Sequence, residues 1–416
     1  MLLTGADSPA CSLTIALQAG IMDDAPETRE RSSGVPTSVE VRPAVLAWAR
    51  TRASLSTDAL ADIMEVPQAE IVAWEATGSL SLARLRSLAK RTRTPIGFFF
   101  LQNPPASALS VADFRTVTGT LSRPPSPELL DTLHICQRRQ SWYRESLVAE
   151  QPEPVSIVGS ASSHQAVAAV AESVRSAIGW DVDTRRSLPT WEDALTVLAE
   201  RMEDIGILVM RSGVVGNNTH RALDVDEFRG FALSDEYAPL VFVNSSDARA
   251  AQMFTLAHEV THIWLGETGV SDAQPRSSNA SERFCNSVAA EILVPLDEFS
   301  QTWTQSRAPD VEAQRLARMF KVSVLVILRR ALEARAVSAS EFEGLYEDAL
   351  AASASRVTGG GDFYNTQGAR LGKRFSRAVI ISALEGRTPF AEAFGLLGVR
   401  SSKTFDAMAK RFGVLP

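Results

Sequence analysis

The segment AHEVTHIWLG, residues 257–266, combines side chains that could bind a metal ion. His258 and His262 are four positions apart, and Glu259 directly follows the first histidine. In a helix, which turns once in about 3.6 residues, the two imidazole rings lie one above the other on one face. One metal ion could then bind both rings, with the Glu259 carboxylate at the side of the pair.

Zinc is the metal that fits these side chains. It favours neutral imidazole nitrogen and carboxylate oxygen, and a catalytic zinc site has three protein ligands and a fourth position for water. Glu259 would be close enough to accept a proton from that water and to donate it to a leaving amine. The HExxH pattern therefore predicts a zinc peptidase in which His258 and His262 are ligands and Glu259 is the catalytic base. Two alternatives are a pair of surface histidines on an amphipathic helix and a site that binds metal without turnover.

The third ligand is expected on the next helix, SSNASERFCNSVAAEILVP. Glu282 lies in this segment, and nineteen residues separate it from His262. Asn286 is one turn away on the same face, where its amide could orient a zinc-bound imidazole. Glu291 is the alternative ligand, but its sequence neighbours are mainly apolar. We therefore predict Glu282 as the third ligand and Asn286 as its supporting residue.

One helix and about three strands are expected to position the motif. Thr190 and Asp193 are suited to cap the helix WEDALTVLAERMEDI. The runs GILVMR, EFRGFALSD and APLVFVN are β-branched or apolar and are separated by Gly, Asn, Asp and Pro, which predicts strands. The motif helix should end at Gly266. Residues 190–355 are thus predicted to form an α+β domain.

Other side chains in this region could assist peptide hydrolysis. An additional donor should stabilise the oxyanion, and the candidates are Tyr237, His220 and Arg229, although each also suits a structural role. The strand at residues 229–233 could line the cleft as a sheet edge and hold the substrate backbone by strand addition. The residues of that candidate substrate-binding strand are Gly230, Phe231, Ala232 and Leu233.

The segments FTLAHEVTHIWLG, SERFCNSVAAEILVP and EFRGFALSDEYAPLVFVN resemble the ImmA/IrrE family of zinc metallopeptidases. The family's two histidines, catalytic glutamate and downstream glutamate correspond here to His258, His262, Glu259 and Glu282. The resemblance, which extends from about residue 42 onward, implies a gluzincin-like endopeptidase with a zincin-like fold and Zn2+ as its cofactor. It also implies a protein substrate of the repressor or antitoxin type and a role in transcription regulation or toxin-antitoxin control. The alternative is a DNA-binding regulator or antitoxin whose zincin fold binds or senses without turnover.

An all-α domain is predicted at residues 41–105. Its segments LSTDALADIMEVPQAEIVAWEATG and LARLRSLAKRTRTPIGFFFL resemble the repressor-type (XRE) helix-turn-helix, in line with ImmA/IrrE proteins that are fused to such a domain. The expected recognition helix begins Pro-Gln-Ala-Glu and has no Arg or Lys for phosphates or guanine edges. The candidates for DNA contact are Gln68, Arg50 and Arg52. A helical module that docks protein is the alternative.

The remaining segments differ in composition. Residues 1–40 should form a disordered leader, and residues 106–189 a Pro-rich linker followed by helices. Residues 356–416 carry ten basic and four acidic side chains and begin with a glycine hinge. Helix-turn-helix spacing recurs in this basic helical C-terminal region. It could contact nucleic acid or an acidic partner, cover the cleft as a lid, or present a solvated basic face.

Composition limits the class of protein. With 416 residues, of which 45% are hydrophobic, the chain can bury the cores of two or three domains. We find no apolar run of about 18 residues and no signal peptide, and Cys11, Cys136 and Cys285 are isolated. We therefore expect a multidomain cytoplasmic protein with reduced thiols and no membrane partner. An oligomer is possible. The net charge of -7 gives no general attraction to nucleic acid.

Overall fold

The computed structural model describes residues 38–53, 55–104, 125–148, 152–271, 280–354 and 370–415. Most of the predicted leader, the start of the predicted linker and the glycine hinge lie outside these ranges. The described chain is mostly helical, with one mixed α/β region and a helical C-terminus, as the sequence predicts.

The N-terminal unit is helical and has its own core. Ser56 and Ser81 begin two of its helices, where their hydroxyl oxygens accept backbone N–H groups. A short turn at residues 65–67 joins the second helix to the third, and Glu65 there adopts a left-handed φ of 54°. The repressor-type assignment of this unit stays a prediction. Its elements are α1 (Pro43–Arg52), α2 (Thr57–Met64), α3 (Gln68–Thr77), α4 (Leu82–Arg91) and a 3-10 helix (Ile96–Phe100).

The last three residues of the predicted leader form a strand. Strand β1 (Ser38–Glu40) pairs antiparallel with β2 (Ser79–Ser81), which lies just before α4. The boundary at residue 40 stays a prediction. The strand depends on a backbone pairing with residues that are distant in sequence, which local composition does not reveal.

A four-stranded sheet forms the centre of the main body, in the order β3–β5–β4–β6. β3 runs parallel to β5, whereas β4 runs antiparallel to both of its neighbours. The three strands predicted from the sequence are present, and β6 is an addition. The strands are β3 (Leu208–Ser212), β4 (Gly230–Leu233), β5 (Leu240–Asn244) and β6 (Gly269–Ser271).

Helices cover both faces of this sheet, because successive side chains of a strand point to opposite faces. Val241 and Val243 belong to one core, which includes the motif helix and its neighbours. Phe231 and Phe242 belong to the second core, where their rings stack with centroids 4.8 Å apart. The sheet therefore separates two helical layers.

The motif-bearing layer consists of helices on both sides of the motif in sequence. The Thr190–Asp193 capping box predicted at the start of α8 is confirmed. Glu312 on α12 is fully buried, and its carboxylate accepts hydrogen bonds from Arg307 and Arg315. The helices outside the C-terminal region are α5 (Pro127–Val148), α6 (Val167–Ile178), α7 (Val182–Ser187), α8 (Trp191–Asp204), α9 (Arg249–Leu265), α10 (Ala280–Leu293), α11 (Leu296–Thr302), α12 (Pro309–Phe320), α13 (Val324–Glu333) and α14 (Ala339–Ala354).

The described part of the C-terminal region, residues 370–415, packs on the other layer and is not a lid over the motif. Its helices, α15 (Lys373–Leu384), α16 (Phe390–Leu397) and α17 (Ser402–Arg411), share the second core with α5. The buried Glu203 carboxylate at the end of α8 accepts the backbone N–H groups of Lys373 and Arg374 at 3.0 and 3.1 Å. Apolar contacts with the sheet decide this position, so the lid alternative is wrong. Within the described ranges, no helix is both long and apolar enough to span a membrane.

Candidate metal centre

Helix α9 carries the HExxH motif through the middle of the main body. It lies between the sheet and α10, so Leu256, Val260 and Ile263 are completely buried. The helix begins at Arg249, slightly later than the Ser246 or Asp247 start that its sequence suggests. It ends at Gly266, whose left-handed φ of 71° closes the last turn, as predicted.

Three nitrogen and oxygen donors meet beside this helix. The Nε2 atoms of His258 and His262 are 3.2 Å apart. Glu282 on α10 places its carboxylate oxygens 3.2 Å from His258 Nε2 and 3.4 Å from His262 Nε2. Among the described residues, these three form the one group of His, Cys, Asp or Glu donors with metal-binding spacing, and their ligand atoms lie within 4.8 Å of one another.

The outer ring nitrogens of the histidines have their own partners. Nδ1 of His258 lies 3.1 Å from the Asn286 side-chain oxygen, the contact expected from the sequence. Nδ1 of His262 lies 3.3 Å from Glu267, which also accepts a 2.7 Å hydrogen bond from Ser281. A ring that donates from Nδ1 presents the lone pair of Nε2, so these contacts orient both imidazoles for a metal ion.

Glu267 is the residue that the sequence analysis missed. It follows Gly266, where the chain turns back towards the last turn of α9. Its hydrogen bond with His262 holds the pKa of the Glu267 carboxyl below its usual range, so the group is ionised. The signal that could have found it is an acid placed directly after the helix-ending glycine of an HExxH helix.

The alternative ligand, Glu291, is engaged elsewhere. One of its carboxylate oxygens accepts a 2.8 Å hydrogen bond from Arg330, and the other accepts the backbone N–H of Leu296. Burial raises the pKa of Glu282, but hydrogen bonds with the two histidines outweigh burial and hold that pKa well below its usual range. Glu282 is thus an ionised donor beside the rings, whereas Glu291 stabilises the packing of α10 on α13.

Glu259 is completely buried on the same helix. Within the described part of the chain, neither of its carboxylate oxygens has a hydrogen-bond partner. Burial raises the pKa of Glu259 to about 7, although the charges of the two histidines oppose this rise. A buried carboxyl without a partner is costly, and a pKa near neutrality suits a group that both accepts and donates protons. These properties fit the predicted role of catalytic base.

The donor set fits a zinc ion. Two imidazole nitrogens and one carboxylate are the ligands of many catalytic zinc sites, and three is the number of protein ligands that such sites use. The outer contacts of both histidines and the unpartnered Glu259 carboxyl agree with that use. Cys285 Sγ lies 3.6 Å from His262 Nδ1, but burial raises the pKa of its thiol, which disfavours a thiolate ligand. Cys285 and Cys136 are both buried free cysteines.

Two of the three candidates for oxyanion stabilisation lie apart from the histidines. Tyr237 stacks under Arg144 of α5, on the opposite side of the sheet and beyond the far end of β4. His220 is exposed in a turn, where its backbone N–H binds Asn218. Arg229 directly precedes Gly230 and forms a 3.7 Å ion pair with Asp247 near the start of α9. Arg229 is the candidate that the fold keeps nearest to the site, and its role stays a prediction.

The predicted sheet edge is not at β4. This strand pairs with β5 on one side and with β6 on the other, so its backbone groups are already used. Phe231 and Leu233 also point into the second core. Among the described strands, β6 forms that edge of the sheet. The prediction that β4 is an edge strand was wrong, because β6 is too short to be recognised from alternating side chains. Substrate binding by residues 230–233 stays a prediction.

The candidate DNA contacts of the N-terminal unit are mostly engaged within the protein. Arg50 forms a 2.7 Å ion pair with Glu75. Arg52 pairs with Asp131 of α5. Gln68 is exposed, and its side-chain amide binds Thr57. DNA binding by this unit stays a prediction.

Comparison with known proteins gives matches for two parts of the chain. Residues 202–332 match the family model of the IrrE N-terminal-like domain, peptidase M78. Residues 371–411 match a domain of unknown function, DUF8813. No curated protein matches the chain. The first match contains α9 and α10 with all three metal donors, so this part of the chain is similar to a peptidase family, in agreement with the resemblance found in the sequence.

Proposed function

We propose that the protein is a zinc-dependent endopeptidase that hydrolyses a peptide bond in a regulatory protein. The observation that carries this proposal is that a group of three metal donors and a buried carboxyl lie side by side at α9. His258 and His262 converge with Glu282 on one point, and Glu259 holds an unpartnered, buried carboxyl beside them. A site that only stores metal has no need for such a carboxyl.

His258, His262 and Glu282 would hold the zinc ion, and Asn286 and Glu267 would keep the two rings in orientation. When bound, zinc supplies Lewis acidity to oxygen atoms of water and substrate. Glu259 accepts a proton from the attacking water and later donates it to the nitrogen of the leaving amine. Its carboxyl is shielded from bulk solvent by the β4 backbone, which favours proton exchange with the substrate over exchange with solvent.

The substrate class follows from the ImmA/IrrE resemblance and from the helical unit that precedes the peptidase domain. A repressor or antitoxin would be cleaved, and transcription or toxin-antitoxin control would be the outcome. The N-terminal unit is fixed to the body by ion pairs of Arg52 and Arg93 with Asp131 and Glu128 on α5. That contact places a candidate recognition unit at a defined position relative to the peptidase domain.

The test compares the wild-type protein with Glu259→Gln. Both proteins are loaded with zinc, their metal content is measured by mass spectrometry, and each is incubated with the product of the neighbouring gene and with a lysate of the host. New protein N-termini are then identified by mass spectrometry. We expect zinc in both proteins and new N-termini only with the wild type, because the substitution removes proton transfer and leaves the ligands in place.

Glu236→Gln is the matched control, because Glu236 is exposed and lies at the far end of β4. It should cleave like the wild type. Cleavage by Glu259→Gln at the wild-type rate would remove the assignment of the catalytic base. Stoichiometric zinc without new N-termini in any protein would favour the regulator that binds metal without turnover.

A further inference from the structure

Three pairs of helices in this chain share one local geometry. In each pair the first helix ends at a residue with left-handed φ, and a valine and the next helix follow. The three left-handed residues are Glu65 between α2 and α3, Lys321 between α12 and α13, and Gly398 between α16 and α17, with φ of 54°, 56° and 67°. Two helices joined by such a short turn form the arrangement that can lay the second helix into the major groove of DNA.

The second helices of the first two pairs present no exposed cluster of basic side chains. Helix α3 has no basic side chain, and its exposed side includes Gln68, Ala69, Ala73 and Val72, which is 51% exposed. Helix α13 is largely buried in the first core, and its Arg330 is held by Glu291. Neither helix therefore combines an open face with basic side chains.

Helix α17 has the opposite character. Arg400 lies in the turn before it, Lys403 in its first turn and Lys410 in its last turn, and all three side chains are exposed. No hydrogen bond or ion pair of these three side chains is found within the described residues. Ser401 caps the helix by accepting the N–H of Thr404, and Ser402 is exposed beside it. Asp406 is the one acid on this helix.

Most other cations of the C-terminal region are engaged internally. Arg374 binds Tyr143 and the backbone of Glu203, and Arg377 binds the backbone of Phe412. Arg387 pairs with Glu385. Arg400, Lys403 and Lys410 therefore remain able to act on a partner, and their charge is complementary to phosphate.

The inner side of α17 is fixed to the body, so the outer side is presented rigidly. Phe405 contacts Phe390 and Phe394 of α16 with ring centroids 5.5 and 5.6 Å apart. Met408 and Ala409 are buried in the second core. That core lies on the face of the sheet opposite to the metal donors. A ligand on α17 would therefore leave the peptidase site open.

We propose that α16 and α17 form a second, DNA-binding helix-turn-helix, with the first turn of α17 directed into the major groove of a duplex. Arg400 and Lys403 contact phosphates and base edges at the start of the helix, while Lys410 contacts the backbone. This assigns a binding function to the domain at residues 371–411, independently of peptidase activity. The full-length protein would thus hold DNA through its C-terminal region rather than through α3.

Fluorescence anisotropy tests this proposal with the full-length protein and a labelled random-sequence duplex of about 30 base pairs at about 50 mM salt. The double variant Arg400→Glu/Lys403→Glu is compared with Arg86→Glu/Lys90→Glu, a matched reversal of two exposed cations on α4 of the N-terminal unit. We expect about tenfold or greater loss of affinity for the first variant and wild-type affinity for the second. The slope of log affinity against log salt should fall by about two, because each lost phosphate contact changes it by about 0.9.

Circular dichroism establishes that each variant is folded, and Lys410→Gln provides a milder substitution that should weaken binding about threefold. Three results would overturn the proposal: no binding of the wild type to the duplex, an equal loss in the α4 variant, or preferential binding of poly-glutamate, which indicates an acidic protein partner. Because the readout is DNA affinity, it is unaffected by whether the protein cleaves a substrate.

Discussion

Gly230 of β4 lies directly over the carboxylate of Glu259. A Cβ atom at this glycine would be 2.7 Å from Glu259 Oε1, 2.6 Å from Thr255 Cγ2 and 2.8 Å from the backbone oxygen of Phe242. Real Cβ atoms do not approach other atoms so closely. The strand backbone therefore closes one side of the Glu259 carboxyl, and glycine is required because any side chain would displace that carboxyl.

Gly230→Ala should impair both stability and catalysis. We expect a loss of about 1–3 kcal/mol in the free energy of unfolding, as is typical of overpacking, together with a fall in cleavage rate as Glu259 is displaced. Urea denaturation and the cleavage assay measure the two effects. Gly269→Ala on the neighbouring strand is the control, because a Cβ there meets nothing within 4 Å. Equal stability and equal cleavage rates of the two variants would contradict the close approach of Gly230 to Glu259.

The proposed zinc ligand on α10, Glu282, can be distinguished from the alternative acid on the same helix, Glu291. Glu282→Ala should lose zinc, because it removes one of three ligands. Glu291→Gln should retain zinc but lose about 1–3 kcal/mol of stability, since the buried Arg330 then keeps an ion pair with Glu333 alone. Metal content by mass spectrometry and urea denaturation distinguish these outcomes. Loss of zinc in Glu291→Gln alone would reverse the assignment.

The partner of His262 should affect metal affinity without being a ligand. Replacing Glu267 by Gln removes the charge that receives the His262 N–H, and we expect zinc affinity to fall by about 10–100-fold. Competition with a chromogenic chelator measures that affinity. Asp297→Asn, at an exposed acid on α11, serves as the control and should bind zinc like the wild type. Unchanged affinity in Glu267→Gln would show that this contact does not orient the ring.

Glu312 should make stability depend on acid pH. Its hydrogen bonds with Arg315 and Arg307 lower its pKa from 4.5 to about 2, although burial opposes them. Because the folded pKa lies below the unfolded one, the stabilisation is complete above pH 4.5 and is lost as pH falls towards 2. The lowered pKa of Glu312 corresponds to about 3 kcal/mol of the free energy of unfolding at neutral pH. Urea denaturation from neutral to acid pH should show this dependence reduced in Glu312→Gln. If the free energy of unfolding fell with pH by the same amount in both proteins, the assigned role of Glu312 would be refuted.

The contact between the N-terminal unit and α5 should depend on Asp131. This carboxylate pairs with Arg52 of α1 and with Arg221 of the main body. Asp131→Asn should loosen the unit, so hydrogen exchange in α1 should become faster and the radius of gyration in X-ray scattering should increase. Glu145→Gln, at an exposed acid on the same helix, should leave both unchanged. A loosened Glu145 variant would mean that α5 itself had been destabilised.

The sequence by itself determined the side chains of the candidate metal centre. Helical spacing in HExxH was enough to place His258 and His262 on one face, and the structure adds Glu282 and Asn286 in the geometry expected of them. Three strands and the capping of α8 were also predicted, because alternation and capping act over a few residues. These features depend on local periodicity, which the order of residues contains directly.

The tertiary structure decided the features that join distant parts of the chain. The short strand β6 makes β4 an inner strand, Glu267 turns back onto His262, and Gly230 closes over Glu259. It also placed the basic C-terminal helices on the far face of the sheet. There the free energy gained by burying Phe375 and Phe405 outweighs the loss of solvation of the helices. Local sequence patterns could not predict these contacts, because each contact depends on which apolar surfaces meet when the whole chain folds. The pairing of those surfaces minimises the exposed apolar area of the whole molecule rather than that of any one segment.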